Sequence, residues 1–214
     1  MSDLFQKFES ACIQFSINLE ASVLKKLLEY HSLLEKWNKV INLSAHRSLE
    51  ENLEKNFLDS LILSQKIPKE KNILDFGSGA GFPGLLLGIA NSERHLLLVE
   101  ADQRKSSFLR TCIVSLGLKN VEVDTNFIDI SKPMFQWSQE IDLIVSRATI
   151  SPQELLNFGN NILKKNAKLA LMLSEKQYSS LNFNTENRFN FLREEKYLLP
   201  WSLTSRFIVI LEKK

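Results

Sequence analysis

The sequence predicts an α/β protein with a doubly wound, mostly parallel sheet and a helical region at its amino end. Short apolar segments alternate with helical segments after Lys71, which is typical of repeated βαβ units. A glycine-rich turn joins the first of these segments to a helix. Before residue 70, in contrast, apolar residues recur at helical spacing.

The amino-terminal region is predicted to contain three helices. The first lies within the first twenty residues. The second has one apolar stripe, and the third begins at Ser48, where Ser48-Leu49-Glu50-Glu51 fits a capping box. The residues expected to face inward on the three helices are Leu4, Phe5, Phe8, Cys12 and Phe15; Val23, Leu24, Leu27, Leu28, Tyr30, His31, Leu34, Trp37 and Asn38; and Leu53, Phe57, Leu58 and Leu61.

The remaining chain is predicted to form a seven-stranded sheet. Its strands are Asn72–Phe76, Leu96–Glu100, Val121–Thr125, Ile141–Ser146, Lys168–Leu173, Glu195–Leu199 and Arg206–Leu211. The helices between them are predicted over Phe82–Ala90, from Asp102 to Leu116 with Gly117 as the cap, and from the capping box Ser151-Pro152-Gln153-Glu154 onward.

Composition limits the class of protein. A chain of 214 residues with 44% apolar residues is expected to form one domain, comprising a helical region (residues 1–68) and a sheet core (residues 69–214). The net charge of +2 restricts any nucleic-acid surface to a local patch. Two cysteines without paired spacing fit a reducing cytoplasm, and three scattered histidines argue against a metal centre. No segment has the character of a membrane span or signal peptide, so we expect a cytoplasmic protein that does not bind membranes.

The turn after the first strand resembles a nucleotide-cofactor loop. Gly79-Ala80-Gly81-Phe82-Pro83-Gly84 fits G-x-G-x-x-G between a strand and a helix. Glu100, at the end of the second strand, is placed to accept hydrogen bonds from ribose hydroxyls. These features alone fit NAD and S-adenosylmethionine equally.

Asp75 favours S-adenosylmethionine. A carboxylate beside the loop would repel a pyrophosphate and attract the ammonium and sulfonium groups of that cofactor. A second interpretation of Asp75 is a capping carboxylate that accepts hydrogen bonds from the amides of the loop itself.

Several motifs together resemble the bacterial small-subunit rRNA guanine-N7 methyltransferases, once called glucose-inhibited division protein B. They are the loop Asp75 to Gly84, Lys36-Trp37-Asn38-Lys39, Asn42-Leu43-Ser44, Leu58-Asp59-Ser60-Leu61, Arg104-Lys105, Phe108-Leu109 and Ser146-Arg147-Ala148. The resemblance spans roughly residues 20–175 and implies a class I methyltransferase (Rossmann-like) fold. It also implies methyl transfer from S-adenosylmethionine to N7 of a guanine in the 530 loop of 16S rRNA, within the decoding region, by a protein that we expect to be monomeric.

The resemblance also assigns site residues. The expected cofactor-binding residues are Asp75, Gly77, Gly79, Phe82, Glu100, Ile128, Asp129 and Arg147. Arg147 is expected to position cofactor and base, without a general base, because guanine N7 carries a lone pair and no proton. The basic residues expected at the RNA are Lys36, Lys39, Arg47, Lys55, Arg104 and Lys105, although such charges also serve ordinary helix solubility.

The chain departs from the family pattern at three places. Lys55-Asn56 stands where the family has Arg-His, Leu173 stands where it has a lysine, and Phe127 occupies a usually basic position. These departures leave open a non-catalytic assembly factor for the small ribosomal subunit that has kept the fold. An NAD-dependent oxidoreductase is a further alternative, which Asp75 disfavours.

Overall fold

The fold is a three-layer α/β sandwich with a seven-stranded sheet at its centre. The structure, a computed structural model, describes residues 2–43, 48–67, 69–125, 140–147, 150–181 and 188–214. The strands are β1 (Asn72–Phe76), β2 (His95–Val99), β3 (Val121–Asp124), β4 (Leu143–Arg147), β5 (Lys168–Ser174), β6 (Phe189–Leu198) and β7 (Ser205–Lys213). The helices are α1 (Ser2–Gln14), α2 (Ala21–Asn38), α3 (Leu49–Asn52), the π segment (Leu53–Leu58), α4 (Asp59–Lys66), α5 (Gly84–Ala90), α6 (Gln103–Ser115), α7 (Pro152–Ile162) and α8 (Glu175–Ser179).

The strand order β3-β2-β1-β4-β5-β7-β6 confirms the predicted mostly parallel sheet. The first five strands in this order are parallel, whereas β7 runs antiparallel to both β5 and β6. The strand order switches sides at β1: β2 and β3 are added on one side of it, and β4 on the other, so Asp75 lies opposite Leu98 on one side and Val145 on the other. Doubly wound sheets bind ligands at the carboxyl ends of strands beside such a switch point.

Alternate residues of each central strand pack into different apolar layers. Ile73 and Leu96 belong to a cluster that also contains buried residues of α1, α2, α4, α5 and α6. Leu74 and Leu97 face the opposite way, toward α7. Burial on both faces explains why these strands are almost continuously apolar. Because the amino-terminal helices share one cluster with the sheet, the packing supports our proposal that both regions form one domain.

The sequence prediction was wrong in three local details. The third helix is interrupted by the π segment, in which the amide of Asp59 donates to the carbonyl of Glu54 five residues earlier. Strand β6 is longer than predicted, because its mostly exposed residues give little apolar alternation. Helix α8 was missed, although Ser174 and Gln177 form a capping box that the S-x-x-Q spacing could have indicated. In the described part of the chain, no helix has the length and apolar character needed to cross a membrane.

Candidate active site

The carboxylate of Asp75 lies beneath the glycine loop and is fully buried. Its Oδ2 accepts a hydrogen bond from the amide of Gly84 at 2.9 Å, at the start of α5. A Cβ on residue 84 would lie 2.6 Å from that oxygen and 2.4 Å from Leu98 Cδ2, so only glycine permits this approach. Asp75 therefore acts as a capping carboxylate that accepts a hydrogen bond from an amide of the loop, as the second interpretation of the sequence suggested. Its other oxygen, Oδ1, is buried and has no hydrogen-bond partner among the described residues.

Glu100 holds the same loop from the end of β2. Its Oε2 accepts from the amide of Gly79 at 2.8 Å, and its Oε1 accepts from the amide of Asp102 at 2.8 Å. A carboxylate offers about four lone-pair sites, so each oxygen can still accept from a ligand hydroxyl. The two acids thus fix the loop on opposite sides, Asp75 at its exit and Glu100 at its middle.

Glycine is required at position 79 by its backbone conformation. Its φ is +58°, and a Cβ there would have only Gly77 O within 4 Å, at 3.9 Å. The backbone is therefore exposed toward open space at the carboxyl edge of the sheet. Gly77 also has a positive φ, of 71°.

The helical region contacts the loop through Tyr30 of α2. Its buried hydroxyl donates a hydrogen bond to the carbonyl of Ala80, and its ring packs on Phe57 and Phe82 at centroid distances of 5.3 and 5.6 Å. Burial raises the pKa of Tyr30 well above its ordinary value, which keeps the hydroxyl as a donor. Phe82 is therefore mainly a packing residue between loop and helices, with 5% of its surface exposed.

Arg147 ends β4 and lies against the π segment. Its Nη1 donates to the carbonyl of Lys55 and its Nη2 to Asn56 Oδ1, each at 2.7 Å. The guanidinium also lies 5.3 Å from the ring centre of Phe82. The sequence placed Arg147 at this edge correctly, but its contacts with the helical region were not anticipated.

Asp59, at the start of α4, is the counter-ion of two arginines. Its Oδ2 lies 3.7 Å from Arg147 Nη1 and 3.7 Å from Arg206 Nε, while Oδ1 accepts from the hydroxyl of Tyr197 at 2.5 Å. Burial raises the pKa of Asp59, and both arginines oppose that rise. Sequence reasoning noted Asp59 only as part of a motif and missed Arg206. One sequence signal could have indicated Arg206: it lies at the start of the last predicted strand. If that strand is antiparallel, its start lies at the carboxyl edge of the sheet.

The predicted RNA-binding residues lie on separate helices. Lys36 and Lys39, at the end of α2, are exposed, and Arg104 is exposed at the start of α6 with Lys105 half-buried beside it. The ring of Trp37 packs 5.7 Å from that of Phe108, so the end of α2 lies against α6. Lys55, in the π segment, forms a salt bridge with Glu51 of α3. Arg47, Ile128 and Asp129 lie outside the described residues.

Burial of Asp75 generates a testable pH dependence of stability. Burial raises the pKa of its carboxyl from 3.8 to about 6, and the hydrogen bond from Gly84 opposes the rise. A pKa that is higher in the folded state favours folding at low pH, and this contribution disappears as pH rises from about 4 through about 6. The variant Asp75→Asn can still accept the hydrogen bond from Gly84 but does not titrate. We therefore expect it to lack this pH-dependent contribution to the free energy of unfolding. Between pH 4 and 7 the wild type should lose about 2.4 kcal/mol of unfolding free energy relative to the variant, measured by urea denaturation. A difference that stays constant with pH would contradict the assignment.

Known proteins are similar to this chain in both sequence and fold. A family model described as rRNA small subunit methyltransferase G (GidB) matches residues 23–204. Two relatives named ribosomal RNA small subunit methyltransferase G come from Hydrogenovibrio crunogenus and Desulfotalea psychrophila. The first is 35% identical over 79% of this chain and 76% of the relative, and the second is 31% identical over 98% of each.

A solved structure of a SAM-dependent methyltransferase from Aquifex aeolicus superimposes with a TM-score of 0.57, at 18% identity, covering 83% of this chain and 97% of that one. This likeness confirms the class I methyltransferase fold. The sequence matches extend over both the helical region and the sheet. The chain therefore belongs to the rRNA small subunit methyltransferase G family.

Proposed function

We propose that this chain uses S-adenosylmethionine to methylate N7 of a guanine in the 530 loop of 16S rRNA. The chain is an rRNA methyltransferase by family membership, and the atom and nucleotide are the finer part of the proposal. The observation that supports it most is the glycine loop between Asp75 and Glu100 at the carboxyl edge of β1 and β2.

The residues of this loop fit the cofactor. The buried, unpartnered Oδ1 of Asp75 is an acceptor for the cofactor's ammonium group, and Glu100 retains lone pairs for ribose hydroxyls. The open space beside Gly79 allows a ligand to approach the main chain. Gly77 and Phe82 belong to the same loop. We also retain Ile128 and Asp129 as proposed adenine contacts, from family resemblance alone.

S-adenosylmethionine supplies an electrophilic methyl group. The chain's own contribution is to hold that group and guanine N7 in line, which can provide a large share of the rate acceleration. Arg147 is suited to positioning, because its guanidinium contacts Phe82 of the loop and Lys55 and Asn56 of the π segment. The RNA would then lie across the end of α2 and the start of α6, where Lys36, Lys39, Arg104 and Lys105 offer charges to phosphates.

The proposal is tested by mapping 7-methylguanosine in 16S rRNA from cells with and without the gene. We expect one modified guanine in the 530 loop, present only when the protein is made. Purified protein and S-adenosylmethionine should restore the modification on small subunits isolated from the deficient cells. An identical modification map in both strains, with no methylation by the purified protein, would contradict the function.

The loop itself is tested by Gly79→Val with Gly117→Val as a matched control. The two glycines have nearly equal φ values, +58° and +60°, and a Cβ at either meets no heavy atom closer than 3.9 Å. Both substitutions should therefore strain the backbone similarly. Only Gly79→Val places a side chain where the ligand approaches. We expect it to weaken S-adenosylhomocysteine binding at least 100-fold by calorimetry, while Gly117→Val binds as the wild type does; equal affinities would exclude the loop.

Attack by guanine N7 requires no general base, so we expect a flat pH profile. If N7 attacks unaided, the single-turnover rate on small subunits with saturating cofactor should be constant from about pH 6.5 to 9. Below about pH 6, protonation of Asp75 should weaken cofactor binding, because its pKa is about 6. A limb that rises with unit slope near neutrality would instead indicate removal of a proton, as from an exocyclic amine.

A further inference from the structure

A pocket lies beside Arg147, on the side of the sheet toward β5 and β7 and away from β2 and β3. It occupies about 260 Å³ at the edge where β4 and β5 end and β7 begins. The π segment and the start of α4 cover it. The polar residues that line it include Asn56, Asp59, Arg147, Ser174, Gln177 and Arg206, and Leu173 contributes to its apolar wall.

The pocket has more positive than negative charge. Two guanidinium groups, of Arg147 and Arg206, share one oxygen of Asp59, each at 3.7 Å, which is longer than a hydrogen bond. The other oxygen of Asp59 is occupied by Tyr197. A single carboxylate therefore leaves one net positive charge among these groups.

Of the two arginines, Arg206 is the one whose guanidinium is more available to bind a ligand. Arg147 already donates to Lys55 and Asn56. Arg206 is paired with Asp59 through its buried Nε at 3.7 Å, and 21% of its side chain is exposed at the pocket. Because Nε is buried against Asp59, a ligand in the pocket would contact the exposed part of the Arg206 side chain instead.

An anion satisfies this arrangement better than a neutral base. A phosphate presents several acceptor oxygens and matches the fork of an arginine guanidinium. A guanine base would also need acceptors for its N1–H and amino group, whereas the carboxylate of Asp59 is already surrounded by Tyr197 and both arginines.

We propose that this pocket is a phosphate subsite, in which Arg206 binds a backbone phosphate of the RNA next to the target nucleotide and Asp59 holds Arg206 in position. The inference rests on the proposed function, because RNA is the source of the phosphate. It assigns to Arg206 a binding role on the substrate side, separate from the cofactor loop.

The test measures how tightly small ribosomal subunits bind the wild type, Arg206→Gln, Arg206→Lys and the control Arg193→Gln at several salt concentrations. Arg193 lies on β6 and is half exposed, so its substitution removes the same charge outside the pocket. We expect Arg206→Gln to weaken subunit binding about 10-fold and to reduce the salt slope of log affinity by about 1. Arg206→Lys should keep the slope and lose part of the affinity, and Arg193→Gln should match the wild type.

Three outcomes separate the inference from the proposed function. If the wild type neither binds nor methylates small subunits, the proposed function fails. If the wild type is active and Arg206→Gln keeps its affinity and salt slope, the phosphate subsite is excluded. If Arg206→Gln keeps the slope but methylates other guanines, the pocket recognises a base and the inference is also overturned. Binding of S-adenosylhomocysteine should be unchanged in all three variants.

A second measurement needs no variant. Sodium phosphate should raise the wild-type KM for small subunits more than sodium chloride of equal ionic strength, because only phosphate competes for Arg206. Equal inhibition by the two salts would contradict the subsite.

Discussion

The contact of Arg147 with the π segment joins the two halves of the molecule at the site. Arg147 ends a central strand, yet both of its terminal nitrogens donate to the helical region, at Lys55 and Asn56. Both acceptors belong to the π segment, whose buried Glu54 also accepts from the amides of Trp201 and Ser202 between β6 and β7. π-Helical turns often occur at functional sites. Here the π segment contacts Arg147 at the edge where substrate is expected.

The glycine loop also has contacts with both the sheet and the amino-terminal helices. Asp75 and Glu100 fix its amides from the ends of β1 and β2, and Tyr30 fixes the carbonyl of Ala80 from the opposite side. The loop is therefore held by sheet and helices together before any ligand binds. Such preorganisation lowers the conformational cost of binding. It also means that the proposed RNA contacts on the helices and the proposed cofactor contacts at the loop would involve one connected set of residues.

Sequence patterns predicted the sheet and the loop well because both depend on local signals. The apolar strands around β1, the turn glycines and the capping box at Ser151 each follow from neighbouring residues. The π segment could not be predicted, since Leu53, Phe57 and Leu58 keep an apolar spacing that an ordinary helix would also give. The pocket was missed for another reason. Its charges come from Asp59, Arg147 and Arg206, which only the tertiary fold brings together.

The departures from the family pattern gain a physical interpretation from these contacts. Lys55 offers its backbone carbonyl to Arg147, which any residue at that position can supply. Asn56 offers a side-chain acceptor, which a neutral histidine nitrogen could supply equally. Leu173 replaces an expected lysine with a buried apolar wall, but the adjoining pocket still contains Arg206. The changes at Lys55 and Asn56 thus preserve the hydrogen bonds that hold Arg147, so they give no reason to regard the chain as a binding factor that has lost its chemistry.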